Sequence, residues 1–160
     1  MSQVVLLLGG NIGDRLKYLS RANSEIQKVF SIKKLSAVYK TAPWGTDSQQ
    51  AYLNQAMVVD TDMPAQEVLE VILGIEQKLD RVREQKWGDR TMDIDLIYYE
   101  DLVIQSENLT IPHPLMQDRR FVLIPLVEIL PDFVHPVFGK STRKLLEECL
   151  DRSEVSQLDQ

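Results

Sequence analysis

Asp93 and Asp95 alternate with Met92, Ile94 and Leu96 in the run Met92-Asp93-Ile94-Asp95-Leu96. Side chains along a strand repeat with a period of two, so the apolar set enters a core while both carboxylates face the other way, roughly 7 Å apart. That spacing lets two carboxylates share one or two divalent ions. Hard carboxylate oxygens, with water and phosphate oxygens completing the shell, are what magnesium prefers; zinc prefers Cys and His, and the run has neither. Taken alone, the pattern also describes a half-buried strand with a solvated acidic face.

The preceding stretch shifts that balance. Arg81, Arg83, Lys86 and Arg90 are interleaved with Trp87-Gly88. Arginine presents a planar fork of donors to phosphate oxygens, lysine a mobile point charge, and tryptophan a flat face for a heterocycle. Since Asp80, Glu84 and Asp89 nearly cancel these cations, the loop by itself reads equally well as a mixed-charge surface. A cationic loop running directly into a paired-carboxylate strand is what phosphoryl transfer requires: metal ions bridge phosphate oxygens while the cations absorb transition-state charge. Residues 80–91 are therefore expected to form a mobile catalytic loop that closes over substrate and excludes water.

Other polar residues are candidates for binding. His113 lies between Pro112 and Pro114, Arg119-Arg120-Phe121 adds two cations and an aromatic ring, and Asn54 in Tyr52-Leu53-Asn54 has the donor and acceptor to read a heterocycle edge. Each also has a plain alternative: a turn histidine, a solvated basic pair, a solvent-facing strand position. Gly9-Gly10-Asn11-Ile12-Gly13 follows a strand but matches neither the lysine-bearing phosphate loop nor the dinucleotide fingerprint, so a tight turn is expected there. Glu76 reads as a surface charge unless its helix end faces the site.

These residues need elements to position them. A strand is expected over residues 3–8 and a helix from about Asp14 to Phe30, with Leu16, Leu19, Ile26, Val29 and Phe30 on its apolar side. Lys34 to Tyr39 and Tyr52 to Asp60 alternate like strands, flanking a breaker-rich loop. A second helix fits Pro64 to Leu79, with Val68, Leu69, Val71, Ile72 and Ile75 inward. After the strand Met92 to Tyr98, Glu100-Asp101 is expected to turn a hairpin into Leu102 to Ile104. Prolines then break the chain into short pieces before a helix near Ser141 to Leu150, and residues 151–160 are expected to fray. The order of elements implies an α+β fold, a ferredoxin-like βαββαβ sandwich with an added β-hairpin and C-terminal helices.

Composition narrows the function classes. At 160 residues and 44% hydrophobic, the chain suits one domain spanning 1–160 with a real core. A net charge of -6 disfavours nucleic acid, so an anionic ligand needs a local basic concentration. No apolar run has the length of a membrane span, and the one cysteine, Cys149, sits at helical spacing near the end as a packing residue. A cytoplasmic location and a monomer are expected.

Arg81-Val82-Arg83 followed by Lys86-Trp87-Gly88-Asp89-Arg90-Thr91-Met92-Asp93-Ile94-Asp95-Leu96 resembles the signature of the 6-hydroxymethyl-7,8-dihydropterin pyrophosphokinase family of folate biosynthesis. Gly9-Gly10-Asn11, Tyr39 to Gly45, Tyr52-Leu53-Asn54, Leu109 to His113 and Arg119-Arg120-Phe121 extend the resemblance from Val4 to about Pro136. It implies transfer of pyrophosphate from ATP to the pterin hydroxymethyl group, releasing AMP. Asp93 and Asp95 would hold two magnesium ions and, with Arg81, Arg83 and Arg90, form the catalytic set. Thr41, Ala42, Trp44, Tyr52, Asn54 and Phe121 would bind the pterin, its ring between Trp44 and Phe121. ATP would meet Glu76, Arg83, Trp87, Arg90, Leu96, Thr110, His113 and Arg119. Gly10 stands where the family usually carries serine, and Lys86 replaces a common arginine. A binding module without catalysis and a metal-dependent phosphohydrolase are the rival readings.

Overall fold

The computed structural model describes residues 1–11, 13–41, 51–79 and 92–158. The chain opens with β1 (Ser2–Gly10), whose Val4, Val5, Leu6, Leu7 and Leu8 are all buried, as a central strand covered on both faces requires. Helix α1 (Arg15–Val29) starts where Asp14 accepts a hydrogen bond from the Lys17 N–H at 3.2 Å. Strands β2 (Ser31–Leu35), β3 (Tyr39–Thr41) and β4 (Tyr52–Thr61) follow, then α2 (Ala65–Lys78) and β5 (Asp93–Tyr99).

The principal sheet runs β5-β1-β4-β3, with β2 also pairing with β4, and the pairings are antiparallel. Helices α1 and α2 cover one face: Leu19, Ala22 and Ile26 with Val68, Ile72 and Ile75 pack against Val4, Leu6, Leu8, Met57 and Val59. Leu69 and Val71 pack at the margin of this core, while Leu16 and Val29 are exposed, so the apolar face of α1 is narrower than its sequence spacing suggested. Met92, Ile94 and Leu96 are buried in this same cluster. Burying each is worth about 1.5–3 kcal/mol, and a one-residue slip would turn all three to the other face. That core fixes the phase of β5 and sends Asp93 and Asp95 to the opposite face.

The opposite face is covered by α3 (Arg120–Ile129) and α4 (Thr142–Glu148), which bury Val122, Leu123, Leu126 and Leu145 against Val5, Leu7, Ala56, Val58, Ile97 and Tyr98. Helix α3 is the main departure from the sequence expectation of short broken pieces. It keeps Pro125 inside, which removes one helical donor and leaves the Phe121 carbonyl without its i+4 partner. Burial of Leu123, Pro125 and Leu126 outweighs that loss.

The expected hairpin also differs. Glu100 takes φ +50° at the turn after β5, but Leu102 and Val103 are exposed; β6 (Ile104–Gln105) instead pairs with β7 (Thr110–Ile111) in a separate two-stranded sheet. Residues 151–158 do not fray either. Their β8 (Val155–Gln157) joins the free edge of β3, where backbone pairing compensates for polar composition. Among the described residues no helix is long and apolar enough to cross a membrane.

Candidate active site

Helices α3 and α4 leave one end of their sheet face open, and a cavity of about 910 Å³ lies there. The sheet register builds its floor. Gly9 of β1 is paired with Asp93 of β5 on one side and with Asn54 of β4 on the other, while Leu7 is paired with Asp95. Two strand spacings set the Asp93 and Asn54 backbones about 10 Å apart, with a glycine between them that raises no wall. Thr41, opposite Tyr52 in the β3–β4 pairing, extends the same floor, and Arg119 and Phe121 close it from the side of α3.

Gly9 has a definite steric task. A Cβ there would land on the Asn54 side-chain nitrogen and lie 3.1 Å from the Leu53 carbonyl oxygen. Its absence lets Asn54 lie across β1 and donate to the Leu8 carbonyl at 3.3 Å. Asn54 is buried rather than solvent-facing, and its Oδ1 finds no hydrogen-bond partner among the described residues. The same holds for the buried Thr41 Oγ1. Burying an amide or hydroxyl oxygen unpaired costs about 1–3 kcal/mol. Two such atoms on residues lining one cavity are groups that a polar heterocycle would satisfy.

Asp93 and Asp95 both line the cavity and are half-buried, as strand alternation required. Glu76, a surface charge by sequence unless its helix end faced the site, is only 4% exposed. Its Oε2 accepts the backbone N–H of Ile94, the residue between the two aspartates, at 2.7 Å. Glu76 thus ties the end of α2 to β5 and steadies the carboxylate pair from behind. Among the described residues no group of three or more His, Cys, Asp or Glu is gathered for a metal ion. A two-carboxylate set suits a cation that keeps much of its shell as water and phosphate oxygen.

The wall from α3 is cationic and aromatic. The Arg119 guanidinium lies 5.8 Å from the centre of the Phe121 ring, within cation–π range. His113, after a cis Ile111–Pro112 bond, donates its backbone N–H to the Ile97 carbonyl at 3.0 Å. Its Nδ1 accepts from Leu115 N–H at 3.3 Å, and burial, reinforced by the Arg119 charge, holds its pKa below the ordinary histidine value. His113 is therefore neutral near pH 7, with Nε2 carrying the proton. Thr110 is half-buried in β7, and the Leu96 side chain is buried in the first core rather than in this cavity. Ala42, Trp44, Arg81, Arg83, Trp87 and Arg90, with the rest of residues 80–91, the expected catalytic loop, lie outside the described residues.

The cavity is also lined by Leu7, Leu115, Asp118, Leu150 and Asp151, which motif reasoning did not pick out, and by Gly9, which was expected in a tight turn but lies within β1. Gly9 carried a signal, since a glycine inside an apolar strand marks a close approach. Asp151 carried no signal of its bond to α3, because Arg120 lies 31 residues away in sequence.

An antiparallel sheet with helices on both faces, and a carboxylate pair facing a polar, aromatic-sided cavity, is an arrangement compatible with an enzyme of the phosphotransfer type. The family described as 7,8-dihydro-6-hydroxymethylpterin-pyrophosphokinase (HPPK) matches residues 5–131, and the chain belongs to it. It is 40% identical over 161 aligned positions to the 2-amino-4-hydroxy-6-hydroxymethyldihydropteridine pyrophosphokinase of Methylorubrum extorquens, covering 99% of this chain and 100% of that protein. The enzyme of the same name from Aquifex aeolicus is 36% identical over 148 residues, 92% of each chain. In fold, the chain is similar to the wild-type HPPK-DHPS of Plasmodium falciparum, with a TM-score of 0.74 at 16% identity. That match covers 92% of this chain and 44% of the longer Plasmodium chain.

Proposed function

We propose that this chain transfers pyrophosphate from ATP to the hydroxymethyl group of 6-hydroxymethyl-7,8-dihydropterin, releasing AMP, as a step of folate biosynthesis. The observation that carries the reading is the single cavity uniting Thr41, Asn54 and Phe121 with Asp93 and Asp95. The unpaired oxygens of Asn54 and Thr41 fit the polar edge of a pterin, and the Phe121 ring offers its face a stacking partner. The ring then lies with its hydroxymethyl arm toward the carboxylates, about two strand spacings away across Gly9.

The residues present fit magnesium, and Asp93 and Asp95 are the pair that would hold two ions. When bound, the ions neutralise charge on the phosphate oxygens and polarise the phosphorus for attack. The chain's own residues supply the rest. Glu76 holds the carboxylate strand in place, and Arg119 presents a cation where the nucleotide phosphates enter. Arg81, Arg83 and Arg90 of the segment 80–91 add charge. Neutral His113 offers a donor at Nε2 to the nucleotide side of the site, alongside Trp87, Thr110 and the backbone of Leu96. Tyr52, Ala42 and Trp44 complete the pterin pocket. No strong base stands beside the acceptor in this reading, so positioning and electrostatics supply most of the acceleration.

We read the strand order β5-β1-β4-β3, with two helices on one face, as a ferredoxin-like sandwich in a single catalytic domain. A monomer working in the cytoplasm is the expected setting.

Incubation with ATP, magnesium and the hydroxymethyl dihydropterin, followed by separation of nucleotides, tests the reading. AMP should form only when the pterin is present. ADP, or nucleotide hydrolysis independent of pterin, would overturn it in favour of a phosphohydrolase, and binding without turnover in favour of a binding module. Asp95→Ala should abolish turnover, leaving the melting transition within a few degrees of wild type.

A further inference from the structure

The cavity has two walls that its pterin reading depends on, and neither is secured by its own element. Strand β3, which carries Thr41, is three residues long and lies beyond β4 at the sheet margin. Helix α3, whose first turn carries Phe121, receives no side-chain cap from Arg119 at its N-cap position. One later segment supplies both. Asp151 Oδ2 accepts the Arg120 N–H at 3.0 Å, the missing cap for α3. Asp151 Oδ1 accepts the Ser153 N–H at 2.9 Å and the Ser153 hydroxyl at 2.6 Å, fixing the turn that follows.

That turn delivers β8 to β3, with Val155 opposite Thr41, Ser156 opposite Lys40 and Gln157 opposite Tyr39. The Leu158 N–H donates to the Val38 carbonyl at 2.8 Å. Antiparallel alternation then makes Lys40 and Ser156 a hydrogen-bonded pair. Leu150, at the start of the segment, is 87% exposed and lines the cavity itself. An apolar side chain left in water at the rim of a binding cavity gains when a flat ligand covers it.

We propose that residues 150–158 form a cross-tie that sets the separation of the two pterin-binding walls, with Asp151 as its positioning residue. One carboxylate joins the start of α3 to the turn leading into β8, a short path from Phe121 to Thr41 at the cavity end, while the Tyr39 hydroxyl, donating to Glu128 Oε1 at 2.7 Å, ties β3 to the far end of α3. Burial works against the Asp151 charge, but the Ser153 and Arg120 hydrogen bonds outweigh it and keep the carboxyl below its ordinary range. The tie is therefore fully ionised near neutral pH. The inference rests on the cavity being the pterin site.

The test is titration of the fluorescent hydroxymethyl dihydropterin into the full chain with a non-hydrolysable ATP analogue and magnesium, alongside steady-state kinetics. Asp151→Ala should raise the pterin Kd and KM about tenfold while kcat changes less than about threefold. Ser156→Pro, which touches only the β3 side, should have the same signature. Asp151→Asn retains one acceptor oxygen and should fall between wild type and Asp151→Ala; it decides the matter if either other variant fails to fold. Pterin affinity within twofold of wild type in a folded variant, whatever happens to its melting temperature, would overturn the cross-tie. Failure of the wild-type chain to bind pterin would instead overturn the site reading, and the cross-tie with it.

Discussion

Replacing Gly9 with alanine tests the floor of the cavity directly. The new methyl group would meet the Asn54 side-chain nitrogen well inside van der Waals contact and the Leu53 carbonyl oxygen at 3.1 Å. The backbone contact asks for a shift of a few tenths of an ångström, but the Asn54 contact cannot be accommodated without moving that side chain. Moving it breaks the 3.3 Å bond to the Leu8 carbonyl. Overpacking of this kind costs about 1–3 kcal/mol, which at this chain length lowers the melting temperature by about 2–4 °C per kcal/mol. Because the strain is shared by two side chains, Gly9→Ala and Asn54→Ala should be non-additive: the double variant should recover about 1 kcal/mol relative to the sum of the singles. Thermal or urea unfolding of the four proteins measures this, and pterin binding should weaken at least about tenfold in all three variants. A Gly9→Ala cost below about 0.5 kcal/mol, or strict additivity, would refute the packing argument.

Glu76→Ala removes a buried acceptor from the Ile94 N–H, so stability should fall by about 2 kcal/mol or more, and turnover should fall with it as β5 loosens; unchanged unfolding in urea would show that the carboxylate does not brace the strand. Tyr98 is buried, its hydroxyl finds no partner among the described residues, and burial drives its pKa well up. Tyr98→Phe should therefore be neutral or stabilising by up to about 1 kcal/mol, and a clear drop in melting temperature would reveal a partner the hydroxyl depends on. His135 Nδ1 accepts from Val137 N–H at 3.1 Å and Phe138 N–H at 3.2 Å, and burial lowers its pKa from the usual 6.5. The unfolded chain then takes up protons first, so stability is held above pH 6.5, declines as pH falls through it and levels off below the folded value. His113 shifts the same way. Melting temperature should fall between about pH 7 and 5, less steeply in His135→Gln, and a flat wild-type profile would exclude the coupling.

Local pattern settled a good deal of this protein. Alternation in Met92 to Leu96 placed both aspartates on one face, because a two-residue period leaves no other arrangement once the apolar set is buried. The limits of α1 and α2 were legible from apolar spacing, Asp14 and Pro64. Residues 81–95 read as phosphoryl-transfer chemistry because arginines, a tryptophan and paired aspartates stand together there; of these the structure describes the aspartates, which both line the cavity. Contacts made across the fold were not. Pro125 spoke against a helix that burial nevertheless sustains, and Glu76 spoke for a surface it does not occupy. Gly9 reads as a turn until Asn54 is seen to need its missing Cβ, and Asp151 reads as a loose end until it caps α3. Sequence determined the side-chain types and the face each one takes, since type and period are local properties. Only tertiary structure decided which groups hold them in place, since that depends on registers and packing between segments far apart in the chain.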